Sequence, residues 1–70
     1  MTRAVLYFDV SQLSEFSKAL QRIEELRIIV PVEVEKITTI EDDIAVILNV
    51  PPEDSIELVK NALPGAVVVA

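Results

Sequence analysis

Two groups of carboxylates are the residues of this chain whose type and spacing suggest chemistry. One is Asp9, at the end of an apolar run, together with the consecutive Glu41, Asp42 and Asp43; the other is the i, i+2 pair Glu33 and Glu35. The first group is a candidate site for a hard divalent cation, which takes several carboxylate oxygens. The second has the spacing of an acid/base pair on one side of a strand. Neither brings the further residues such chemistry asks for. Around residues 41–43 the calcium-loop pattern and its glycine are missing, so three adjacent acids there read as a solvated turn. Two acids along an edge strand serve equally to discourage sheet-to-sheet pairing. With no His and no Cys, the chain lacks an imidazole base, a thiolate nucleophile, a disulfide framework and an ordinary zinc or haem ligand set. Gly65 is the single glycine, so no glycine-rich loop cradles a phosphate. No catalytic residue, metal site or cofactor is assigned, and the chain reads as a non-enzyme.

The frame that positions these residues is small. A length of 70 residues with 51% apolar composition specifies one packed domain over residues 1–70, near the lower limit for a self-sufficient core. Self-association into a dimer or higher oligomer is therefore expected. The net charge of −6 argues against nucleic-acid and anionic-membrane partners, which require a basic surface. Residues 1–27 carry four basic and four acidic groups, whereas residues 28–70 carry two against eight, so the whole net charge sits in the second part. No apolar run reaches the ~18 residues of a membrane span, and the expected compartment is the cytoplasm.

Residues 4–8 (Ala-Val-Leu-Tyr-Phe) form a short apolar run that predicts a strand, extended by Arg3 and Asp9-Val10, with Ser11 offering a helix N-cap. Leu13, Phe16, Leu20, Ile23 and Leu26 recur at steps of three and four, which predicts an amphipathic helix to about Arg27. From Ile28 to Ile40 the period drops to two, with Val30, Val32 and Val34 opposing Pro31, Glu33 and Glu35. Thr38 to Asp43 turns the chain into a further strand over Ile44 to Val50, predicting a hairpin of unspecified loop length. Pro52-Glu53-Asp54 suits a first helical turn, with Ile56, Val59, Ala62 and Leu63 as the inward stripe. Pro64-Gly65 ends that helix, and Ala66 to Ala70 reads as a terminal strand. The order βαββαβ predicts an α+β, ferredoxin-like fold: a four-stranded antiparallel sheet with two helices on one face.

Two helices cover only one face of such a sheet. If they cover Leu6, Phe8, Val30, Val32, Val34, Val46 and Leu48, then Val5, Tyr7, Ala45 and Ile47 form an apolar strip on the open face, bordered by Glu33 and Glu35. The terminal strand, with Val67, Val68 and Val69 and no charged residue, is expected at a sheet edge and to be covered by another subunit. These nine residues are the candidate interface. RNA-recognition modules share the topology but stack bases on aromatics of the central strands, whereas this face offers only Tyr7.

Two families of small regulatory modules are similar in outline. The chain resembles an ACT domain, with Asp9-Val10-Ser11-Gln12-Leu13 where that family has its ligand loop between the first strand and first helix. It also resembles the stand-alone effector module of leucine-responsive regulators. There Glu41-Asp42-Asp43-Ile44-Ala45-Val46 corresponds to the acidic turn entering the third strand, and Leu63-Pro64-Gly65-Ala66-Val67 to the exit from the second helix. These resemblances imply a small-molecule effector, with Asp9, Ser11 and Gln12 as its candidate ligands. The expected function is a non-enzymatic oligomerising or regulatory module. A second reading makes the chain a small hydrolase or enzyme subunit using Asp9, Glu41, Asp42 and Asp43 with a divalent cation. A third is an acidic adaptor for a basic protein partner.

Overall fold

The computed structural model describes residues 2–50 and 56–69. Its elements are β1 (Thr2–Asp9), α1 (Leu13–Leu26), β2 (Glu33–Ile40), β3 (Asp43–Val50), α2 (Ile56–Ala62) and β4 (Val67–Val69). The strands form one antiparallel sheet in the order β2-β3-β1-β4. This is the ferredoxin-like βαββαβ arrangement, with β1 and β3 central as the apolar content of their two faces requires. The Pro52-Glu53-Asp54 helix start lies outside the described residues, as does Ala70.

One face of the sheet makes the core. Ala4 and Leu6 from β1 and Val46, Leu48 and Val50 from β3 pack with Ala19, Ile23 and Leu26 of α1 and with Val59 and Leu63. Phe8 and Phe16 close one end of this layer with ring centroids 5.7 Å apart and planes at 70°, the edge-to-face geometry favoured by aromatic quadrupoles. The inward stripe of α1 differs from the expected one at two places. Ala19 is buried while Leu13, at the helix start, is exposed.

The second strand is shorter than the predicted span over Ile28 to Ile40, and the reason lies in the helix exit. The Val30 amide bonds the Leu26 carbonyl at 2.8 Å and the Ile29 amide does so at 2.9 Å, so helical turns continue past Leu26. Val30 then falls four residues after Leu26 on the same helical stripe and is buried, while Ile28 and Ile29 point outward at 87% and 75% exposure. The period-two pattern thus begins at Val32 rather than Val30. Pro31 precedes the strand instead of interrupting it, where its missing amide costs no ladder bond.

Within β2 a bulge between Val34 and Lys36 shifts the register against β3. Val34 pairs with Leu48 and Ile37 with Val46, both on the helix side, while Lys36 pairs with Ile47 and Thr38 with Ala45 on the open side. A bulge adds one residue to one strand and so inverts the alternation beyond it. The hairpin loop is two residues long, Glu41-Asp42, closed by the Ile40–Asp43 pair. Glu41 takes φ 55°, the left-handed conformation a tight hairpin turn demands.

Candidate functional site

The β1–α1 turn gathers Asp9, Ser11 and Gln12, the residues expected to hold a ligand, into one hydrogen-bonded knot. The Ser11 amide donates to Asp9 Oδ1 at 2.8 Å, the Asp9 amide donates to Gln12 Oε1 at 2.9 Å, and the Gln12 amide donates to the Asp9 carbonyl at 2.8 Å. Donation from the Ser11 amide, and then from its hydroxyl, holds the Asp9 pKa below the ordinary value against a small opposing desolvation. The helix N-cap is Gln12, without a side-chain cap bond, rather than Ser11. Asp9 acts through its side chain as the acceptor that fixes the turn, the self-bonding role for which Asp is favoured in turns.

The carboxylates suggested for a cation meet at this end of the sheet in part. Asp9 and Asp43 are register partners on neighbouring strands, and the Val10 amide bonds the Asp42 carbonyl at 3.0 Å, tying the hairpin to the end of β1. Glu41, Asp42 and Asp43 are all exposed. Among the described residues, no three such side chains converge into a group able to hold a metal ion.

The open face carries the expected strip. Val5 pairs with Ile47 on one side and Val67 on the other, and Tyr7 pairs with Ala45. Tyr7 is 55% exposed, and Val67 and Val69 are also exposed. Ala45 belongs to this face, with Tyr7 and Thr38 as its register partners, yet is only 1% exposed; it is the floor of the strip rather than a contact. Val68 pairs with Ala4 and so turns to the helix side, leaving Val67 and Val69 as the open-face residues of β4.

The border of the strip is mixed in charge rather than acidic. Arg3 Nε reaches over β3 to Glu35 Oε2 at 3.0 Å, and the bulge brings Lys36 to the open face opposite Ile47. Arg3, Glu35 and Lys36, with Val5, Ile47 and Val69, line a shallow hollow of about 370 Å³. Both partners of the ion pair are well exposed, so it contributes little to monomer stability, but it fixes two long side chains across the face. The alternation pattern pointed to the apolar strip. The placement of Lys36 on this face was not legible, because a one-residue bulge leaves no mark in the alternation of Glu33, Val34, Glu35 and Lys36.

Fold and surface together define a ferredoxin-like α+β module whose sheet is covered by helices on one face and bare on the other. The chain matches no protein-family model, no curated protein and no solved structure. Among the described residues no helix is long and apolar enough to cross a membrane.

Proposed function

We propose that this chain is a cytoplasmic, non-enzymatic oligomerising or regulatory module that associates with a second copy through the open face of its sheet. The observation that supports this is the composition of that face: Val5, Ile47, Val67 and Val69 adjoin across three strands beside the half-exposed Tyr7. A water-facing antiparallel sheet alternates to polar residues, and a contiguous apolar patch in a charged frame marks an interaction site. The Arg3–Glu35 pair gives the frame one charge of each sign, so two copies related by a two-fold axis can oppose unlike charges, as an isologous interface requires. The finer readings, an ACT-like module or a leucine-responsive effector module with a small molecule at the subunit boundary, belong to this proposal. The hollow beside Arg3 and Ile47 would adjoin that boundary.

Light scattering of the wild type and Ile47→Lys over a range of concentrations tests it. A concentration-dependent dimer that becomes a folded monomer on substitution is the expected result. An unchanged mass in folded Ile47→Lys removes this face from the assembly, and a wild type that stays monomeric throughout removes the assembly itself.

A further inference from the structure

The β1 edge at Tyr7 is a second surface beside the open face. Register and hydrogen bonding together fix which backbone groups reach it. The Val10–Asp42 bond belongs to the unbroken β1–β3 ladder. In an antiparallel ladder hydrogen-bonded pairs alternate with unbonded ones, so the even-numbered residues of β1 bond β3. The amides and carbonyls of Arg3, Val5, Tyr7 and Asp9 therefore point to the opposite edge.

Three of these four are satisfied: Arg3 and Val5 face Val69 and Val67 of β4, and Asp9 bonds Gln12 through both groups. Tyr7 is the exception. Its partner in register would be residue 65, but Gly65, at φ 94°, turns the chain away, and among the described residues Tyr7 has no β4 partner and no loop bond on this side.

A groove of about 300 Å³ opens beside this unpaired peptide, between β1, α1 and the α2–β4 turn. Leu6, Phe8 and Leu63 give it apolar walls, and Lys18 and Arg22 reach it from one face of α1. Neither cation forms an ion pair among the described residues, in a chain whose net charge is −6. Glu15 lines the groove one turn earlier on α1, so the positive field is confined to the Lys18–Arg22 end.

We propose that this groove binds a short extended peptide segment bearing one acidic side chain, one residue of which pairs with the Tyr7 peptide group of β1 while its carboxylate lies between Lys18 and Arg22. Strand addition supplies the missing backbone bonds independently of sequence. The cations select the acidic residue and Glu15 rejects a second one. The size fits the lower end of the ~300–1,000 Å³ typical of ligand sites.

The test uses the full chain and two capped pentapeptides, acetyl-Thr-Val-Glu-Val-Thr-amide and its Glu-to-Lys counterpart, with amide exchange read residue by residue by NMR. The acidic peptide should slow exchange of the Tyr7 amide about tenfold or more and leave Phe8, already bonded to β3, unchanged. The Lys peptide should bind at least about tenfold more weakly, as should the acidic peptide to the exposed-site double variant Lys18→Gln/Arg22→Gln. Four results overturn the proposal: no binding of the acidic peptide at about 2 mM; equal binding of the two peptides; binding that leaves Tyr7 exchange unaltered; or Tyr7 protection in peptide-free protein that grows with protein concentration, which assigns the edge to a second copy.

Discussion

Ile47 and Leu48 are neighbours on β3 that point to opposite faces of the sheet, so substitutions there should separate assembly from folding. Leu48 is 0% exposed and packs in the core between the helices and the sheet. Leu48→Ala should cost about 2–5 kcal/mol in lost burial and residual cavity. A 70-residue chain holds roughly 4–10 kcal/mol in all, so this variant should be largely destabilised. Ile47→Lys should leave the monomer within about 1 kcal/mol of wild type, because the lysine stem can lie along Val5 while its ammonium stays in water. In the dimer the same change forfeits about 1.5–3 kcal/mol of isoleucine burial and sets a charge against apolar surface. A two-fold dimer carries the substitution in both copies, so at about 3 kcal/mol per copy association weakens by on the order of 10,000-fold. The sheet outline supports a moderate starting affinity. Three eight-residue strands and a three-residue fourth present on the order of 450 Å² per copy at ~4.8 Å strand spacing and ~3.4 Å per residue. Two copies then bury close to the ~1,000 Å² at which specific interfaces begin, which implies a dimer that dissociates on dilution. Light scattering gives the mass and urea unfolding the stability. The reasoning fails if Ile47→Lys unfolds the monomer as severely as Leu48→Ala, since that places Ile47 in the core.

Three further outcomes follow from backbone and turn geometry. Gly65 sits at φ 94° with nothing within 4 Å of an added Cβ, so Gly65→Ala should lower stability by about 1–2 kcal/mol through backbone strain alone; a thermal midpoint equal to wild type would contradict this. Glu41 holds φ 55°, so Glu41→Gly should raise the thermal midpoint by a few degrees, relief of strain of ~1–2 kcal/mol exceeding the ~0.5–1 kcal/mol entropy of glycine; a lower midpoint counts against the turn geometry. Because the Ser11 bonds lower the folded-state pKa of Asp9 from 3.8, its contribution to stability is complete above the unfolded value and is lost as pH falls through the folded one. Asp9→Asn should therefore flatten the acid limb of a urea-midpoint profile, and a profile superimposable on wild type would show that the turn does not depend on the carboxylate.

The topology was legible because each element has a clear period. Residues 13–26 repeat at three and four, residues 44–48 are continuously apolar, and Pro64-Gly65 marks the last turn. Legibility failed where two periods overlap. Val30 satisfies both the helical spacing from Leu26 and the strand spacing to Val32, and only the bonds onto the Leu26 carbonyl decide between them. The cap was misplaced because Ser11, Asp9 and Gln12 are all competent capping or turn residues, and the choice depends on which carbonyl and carboxylate each amide reaches. The open-face strip was readable from alternation on the central strands. The groove at Tyr7 was not, since it depends on where β4 stops.

That stop coincides with the turn at Gly65, φ 94°. The first half supplies an eight-residue strand and a fourteen-residue helix, while among the described residues the second closes with a seven-residue helix and a three-residue strand. Among the described residues β4 pairs with β1 from Arg3 to Val5, and Gly65 turns the chain out before Tyr7 is paired. The two surfaces left over differ in kind: the open face offers apolar side chains, and the β1 edge offers backbone groups beside Lys18 and Arg22. They differ in charge as well, because the open face is bordered by the mixed set Arg3, Glu35 and Lys36, while the groove carries Lys18 and Arg22 with Glu15 one turn earlier. A second copy on the face and an acidic strand at the edge would engage different atoms of Tyr7, its ring in the first case and its peptide group in the second.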